Sequence, residues 1–283
     1  TIASLPLHLY KRGKDMQRAT EHPLYNVLHT QANPYQTALE FRESMQAAVL
    51  LTGNAYARIE RDGNGQVIAL HPLGNVTVQT TGSTLRYEYT DRHGLLHRLL
   101  PHEVLHLRNR ASTANPYLGV SPIQASRETI DMAHAEREHG RSTFSNGGKL
   151  SGILKFPQKL KDEQRKALQQ SWDSQHAGAA NAGKTAILEG GVEYQTVSVS
   201  MQDAEYLASR QFSVEEIARL FRVPPTVIGD LKHGNYSNSV EMNRTFVTMS
   251  LSRHLLMWEQ AISTQLLTET GRKLYRAKHS VEG

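Results

Sequence analysis

Apolar positions in the first 35 residues come in short pieces broken by Pro6, Pro23 and Pro34. From Gln36 to Leu51 the spacing turns helical. Leu39, Ser44, Met45, Ala48, Val49 and Thr52 fall roughly on one side, and Gly53-Asn54 stops the run. Alternation then takes over. "AYARIE" and "QVIAL" flank "RDGNG", which predicts a β-hairpin with Gly63 and Gly65 in its turn. "VTVQT", "LRYEY" and "EVLHLRN" follow at short intervals with turn signals between them. Residues 36–110 are thus expected to form a small antiparallel sheet packed on a helix.

Helical periodicity dominates after Asn115-Pro116. Ser121 is the expected N-cap of a helix running to about Phe144, with Pro122 at its first position and Gln124 completing a capping box. Its apolar stripe is thin (Ile123, Ile130, Ala133), which predicts packing through small or polar contacts. "KLKDEQRKALQQSWD" predicts a shorter helix with Leu160, Leu168 and Trp172 aligned. The loop "HAGAANAGK" and the apolar run "TAILE" come next. Another helix is expected over about 202–222, with Leu207, Val214, Ala218 and Phe221 on one face, ended by Pro224-Pro225. The longest helix follows the loop "GDLKHGNYSN". Asn238 and Glu241 can box its start, and its stripe is Val240, Val247, Leu251, Leu255, Trp258, Ile262 and Leu266.

Composition narrows the chemistry. The 283 residues are 39% hydrophobic and 21% charged, enough apolar mass for one large domain or two modest ones. There is no cysteine, which excludes disulfides, cysteine-ligated zinc, iron–sulfur clusters and thiol catalysis. No stretch approaches the ~18 apolar residues of a membrane span, so no membrane partner is expected. A net charge of +5 suits an anionic partner without demanding one.

Three motifs each suggest a different chemistry. "GAANAGKT", Gly178–Thr185, fits the phosphate-binding loop formula, in which Lys184 would reach phosphates and Thr185 would hold magnesium. That site needs a strand before the loop and a helix after it, and here a helix comes first. "HEVLH", His102–His106, has the histidine spacing of a zinc hydrolase helix with Glu103 as base. The segment alternates like a strand, however, and only Glu128 offers itself as a third ligand. "SVEEIARLFRVPPTVIG", residues 214–229 and the serine before them, resembles a helix-turn-helix. Arg222 stands where that turn usually carries glycine, and Gly229 cuts the second helix too short for a major groove.

Taken together, the segments resemble the portal protein family of tailed double-stranded-DNA phages, in its long-tailed (siphovirus) form. The resemblance is carried in order by "LPLHLYKR", "HPLYNVL", "ANPYQTALEF", "LLTGNAYARIERDGNGQVIALHPL", "EVLHLRNR" and "GVSPIQASRETI". "FSNGGKLSGIL", "NAGKTAILEGGVEYQTVSVS", "EEIARLFRVPPTVIG" and "NYSNSVEMNRTF" continue it. It absorbs all three motifs into segments with other work.

The resemblance implies an α+β portal-protein fold in a ring of about twelve subunits at one capsid vertex. Residues 1–117 would be a β-rich wing and 118–148 the first stem helix. Residues 149–200 would form a small α/β clip, 201–224 the second stem helix, and 225–238 the tunnel loop. Residues 239–283 would be the long wing helix, with the crown missing or incomplete and the chain trimmed at both ends. Double-stranded DNA would pass through the channel. The large terminase subunit, a head-tail adaptor protein and the major capsid and scaffold proteins would be partners. The resemblance implies no catalytic residue, no cofactor and no metal. It places the protein in the virion at the portal vertex, and in the host cytoplasm during assembly. Lys232, His233 and Asn235, in a polar, glycine-containing loop, would face the lumen; an ordinary solvated loop is the alternative. Arg253 stands where the family often has a helix-kinking proline, which leaves a kink there open.

Overall fold

The structure, a computed structural model, describes residues 1–13, 15–81, 84–145, 152–155, 160–176, 192–196, 200–230 and 244–281. The chain divides into two compact units. Residues 1–126 and 219–283 make the first, and residues 127–218 the second.

The first unit opens with strand β1 (Leu7–Lys11), helix α1 (Pro23–His29), and the short strands β2 (Gln31–Asn33) and β3 (Gln36–Thr37). Helix α2 (Ala38–Thr52) begins at a complete capping box. Thr37 accepts the Glu40 amide, and the Glu40 carboxylate accepts the Thr37 amide. α2 ends at Gly53, whose left-handed φ of 84° suits only glycine well. The face it buries is Ala38, Phe41, Arg42, Met45, Gln46 and Val49. This corrects the expected stripe: Leu39 and Ser44 face out, because the inner face is set by the sheet beneath and by Trp258.

The expected hairpin forms as β4 (Asn54–Arg61) and β5 (Val67–Leu73), with Gly65 at φ 78° in the turn. β4 also pairs antiparallel with β9 (Val104–Arg108) on its other edge. Between them β6 (Thr77–Thr81), β7 (Thr84–Thr90) and β8 (Leu96–Leu99) form a separate meander. The expected single sheet is therefore two three-stranded sheets, because "LLHRLL" supplies a strand that closes the second one. The first sheet lies on the core. Ala55, Ala57, Leu105 and Leu107 are buried with Phe41, Met45 and Val49 of α2.

The helix expected from Ser121 to Phe144 is two helices. α3 (Pro122–Ala125) is one turn, Ser126 leaves helical geometry, and α4 (Arg127–Ser145) starts anew. Ser121 caps α3 by accepting the Gln124 amide and donates to the Leu51 carbonyl at the end of α2. α3 is thus tied to the first unit, while α4 belongs to the second.

Within the second unit, β10 (Gly152–Lys155) pairs antiparallel with β11 (Glu193–Thr196), and α5 (Asp162–His176) comes between them in sequence. Leu168, expected on an apolar stripe of α5, is exposed. α4 lies along α6 (Ser200–Leu220) through polar contacts, as its thin stripe implied. Glu136 accepts hydroxyl hydrogen bonds from Ser209 and Ser213, and Tyr206 donates to the Glu136 carbonyl at 3.1 Å. Gly140 lets Tyr206 approach: a Cβ there would meet the tyrosine hydroxyl.

The long helix, described from Arg244, passes through a π-helical turn (Phe246–Leu251), then α7 (Ser252–Ala261), then a second π-helical turn (Ile262–Leu266). Leu251, Leu255, Trp258, Ile262 and Leu266 are buried, as their spacing predicts. After α8 (Glu269–Leu274), strand β12 (Tyr275–His279) pairs antiparallel with β1, opposing Leu7 to His279 and Leu9 to Ala277. The two ends of the chain therefore close one core.

Candidate functional site

Lys232, His233 and Asn235 lie outside the described residues, as does the Gly178–Thr185 motif. The structure does describe the chain on both sides of 231–243, all within the first unit. α6 ends at Leu220, and Arg222 takes a left-handed φ of 55°. For a residue with a Cβ that conformation costs about 1–2 kcal/mol. A proline pair and a single 3₁₀ turn (Pro225–Ile228) follow, closed by Gly229 at φ 90°. The would-be recognition helix is this one turn, too short to enter a groove. On the far side, Ser250 of the first π-helical turn donates its hydroxyl to the Arg222 carbonyl.

A hollow of about 270 Å³ opens where these pieces meet. Arg110, Arg222 and Arg253 line it with Asn109, Ser250 and His254, and no aspartate or glutamate does so among the described residues. Arg253 donates to Asn109 Oδ1 at 2.7 Å, which fixes its head at the wall. Burial lowers the Arg253 pKa, and the charges of Arg222 and Arg110 lower it further. Burial also holds His254 down, with Arg253 and Arg222 adding to it. Trp258 Nε1 donates to Gln46 Oε1 at 2.9 Å, so the Gln46 amide group faces His254 Nδ1 at 3.3 Å and donates to it. His254 is then a neutral acceptor on that side. The hollow is a net-positive site built from five separate stretches of chain.

Asn109 of its wall also belongs to a backbone interlock. Asn54 Oδ1 accepts the Gly119 amide at 2.7 Å, and Asn54 Nδ2 donates to the Gly119 carbonyl at 3.0 Å. The Asn109 amide donates to the Gly53 carbonyl at 2.8 Å. A Cβ on Gly119 would sit 2.2 Å from the Gly53 oxygen, so the two backbones touch.

The zinc reading fails on geometry. His102 lies on a 3₁₀ turn and His106 on β9, so they do not share a helix face. His106 is buried with both ring nitrogens engaged, Nδ1 to the Tyr87 hydroxyl at 3.1 Å and Nε2 to Asn54 Oδ1 at 3.1 Å. Its pKa is pushed down to about 3, chiefly by burial and secondarily by Arg108. Among the described residues no group of three histidines and carboxylates could hold a metal.

Sequence reasoning missed the arginine hollow. Two of its members had drawn notice, Arg222 for standing at a glycine position and Arg253 at a proline position. Nothing in the sequence says that they meet each other or Arg110.

A family model described as "Phage portal protein" matches residues 1–283. The portal protein of Enterobacteria phage HK97 is 32% identical, over 99% of this chain and 67% of its own length. A probable portal protein of Streptomyces phage phiC31 is 26% identical, over 100% of this chain and 64% of its own length. The chain thus spans about two thirds of these curated relatives. A solved structure of the neck of an empty GTA particle, computed with C6 symmetry, superposes with a TM-score of 0.71 at 27% identity. That superposition covers 99% of this chain and 78% of the solved one.

Proposed function

The chain belongs to the phage portal protein family, and we propose that it forms a ring of about twelve copies at one capsid vertex. Double-stranded DNA enters through the ring during packaging and leaves through it at ejection. The observation that carries this reading is the family match over the whole of residues 1–283. The likeness to the neck of a phage-like particle supports it.

The ring is a conduit and docking platform, not a catalyst. Its clip, residues 149–200, docks the large terminase subunit, which hydrolyses ATP. A head-tail adaptor protein joins the ring later, and the major capsid and scaffold proteins surround it. Assembly takes place in the host cytoplasm, and the ring ends in the virion. The stem is residues 118–148, built on α4, and 201–224, built on α6, and the wing is residues 1–117 with residues 239–283, which carry the long helix.

DNA must slide, so its contacts in the channel are few, directed to phosphates and sensitive to salt. Lys232, His233 and Asn235 of the tunnel loop, residues 225–238, supply them. The charge of +5 per chain becomes about +60 in a ring of twelve, and its distribution decides whether the lumen attracts DNA.

Immunogold labelling of assembled particles tests the placement. Label at a single vertex supports the reading, and label spread over the capsid or absent from particles refutes it.

A further inference from the structure

The structure assigns a phosphate-binding site to the arginine hollow of the first unit: Arg110, Arg222 and Arg253, with His254, hold one phosphate group. This site stands on the hollow alone and does not depend on ring formation.

Charge comes first. Three guanidinium groups, which do not lose their protons in proteins, line one small hollow with no aspartate or glutamate among the described residues of its wall. Each lies close enough for Arg222 and Arg110 to disfavour the charge on Arg253. Like charges held together repel, and a bound anion relieves that repulsion. A free phosphate dianion neutralises two of the three charges, and a phosphodiester of a nucleic-acid backbone neutralises one. Planar guanidinium forks also match the oxygen spacing of phosphate.

Geometry comes second. The hollow of about 270 Å³ is large enough for one tetrahedral group and some hydration. Its donors are held in place beforehand. The Arg253 head is fixed by Asn109 at 2.7 Å and His254 by Gln46, while the Ser250 hydroxyl ties down the backbone of Arg222 at its carbonyl. The left-handed backbone of Arg222 turns at the edge of the hollow, where a glycine would do the same without strain.

Two sources could present this chemistry, free phosphate and the backbone of duplex DNA. The test is the thermal midpoint of the purified protein in inorganic phosphate against sodium chloride of equal ionic strength. Arg222→Gly and Arg253→Gln serve as variants; the first removes a guanidinium at a backbone position glycine prefers, so the fold is kept. A bound ligand raises the midpoint steeply around its Kd and then only with the logarithm of its concentration, whereas exclusion of phosphate from the surface raises it in proportion to concentration and equally in all variants. We expect the logarithmic rise in the wild type, with its onset displaced to about tenfold higher phosphate in each variant. No rise, or the same rise in wild type and variants, overturns the assignment. A short DNA duplex that competes with phosphate identifies the backbone as the source, and one that does not compete identifies free phosphate; either supports the site. If phosphate has no effect while Arg253→Gln blocks ring assembly, the hollow takes a carboxylate of a neighbouring copy and the phosphate assignment is wrong.

Discussion

The Asn54 side chain pairs with both polar groups of the Gly119 peptide, accepting from its amide at 2.7 Å and donating to its carbonyl at 3.0 Å. The pair joins the end of α2 to the strap leading into α3, 65 residues later. The same Asn54 oxygen accepts from His106 Nε2, so one side chain fixes a helix end, a strand and the strap.

Replacing Asn54 by alanine leaves the Gly119 amide and carbonyl without these partners, at a cost of about 1–3 kcal/mol. Gly119→Ala drives a methyl group into the Gly53 carbonyl, where neither backbone can yield cheaply, and costs at least as much. Urea unfolding checks both, with a lower midpoint expected and the slope unchanged.

Local patterns in the sequence foretold local structure. The hairpin around Gly65, the Ser121 cap and the stripe from Leu251 to Leu266 all follow from spacing within one element. Features decided between distant segments stayed hidden. Ser126 breaks a continuous helical pattern because Ser121 is tied to Leu51. The inner face of α2 is chosen by Trp258, more than 200 residues away, through contacts such as Trp258 Nε1 to Gln46. The arginine hollow is hidden for the same reason, since exposed arginines carry no periodicity. The family was legible because ordered segments along the whole chain point to it together.

Glu136 joins α4 to α6 by accepting from two serine hydroxyls. Glu136→Ala removes the acceptor for two serine hydroxyls, each a charge-assisted bond, and is expected to cost about 1–3 kcal/mol. Hydrogen exchange should quicken in α4 and α6 while β4 and β9 of the first unit keep their protection. Equal loosening of both units would count against a local role.

Acid should destabilise the protein through His8 and His106. His8 is held down to about 4, by burial first and then by Arg18, His29 and Arg42, and His106 is held down to about 3. Both are buried and stay neutral in the fold while the unfolded chain takes up protons. Their contribution is complete above about pH 6.5 and falls as pH drops toward the folded values. The slope is about 1.4 kcal/mol per pH unit for each histidine. Urea midpoints between pH 7 and pH 4.5 check this, and His106→Gln should flatten the slope.

Neither zinc nor nucleotide chemistry is expected. Equimolar zinc should leave the midpoint unchanged, because His106 has no free nitrogen to offer. ATP turnover should be absent from the purified protein and unchanged by Lys184→Ala. Stoichiometric zinc lost on His106→Ala, or turnover lost on Lys184→Ala, would reverse this.

The tunnel-loop assignment has its own test. Lys232→Ala combined with His233→Ala is expected to leave assembly intact and to lower DNA packaging or genome retention. Normal packaging and retention in that double variant would remove the loop from the mechanism.

Assembly itself is the most direct measurement. Negative-stain images and solution mass of the purified protein are predicted to give closed rings with a central hole wide enough for duplex DNA. Their mass should be a whole multiple, near twelve, of the 31.7 kDa chain. A monomer or dimer at every protein and salt concentration would contradict the account.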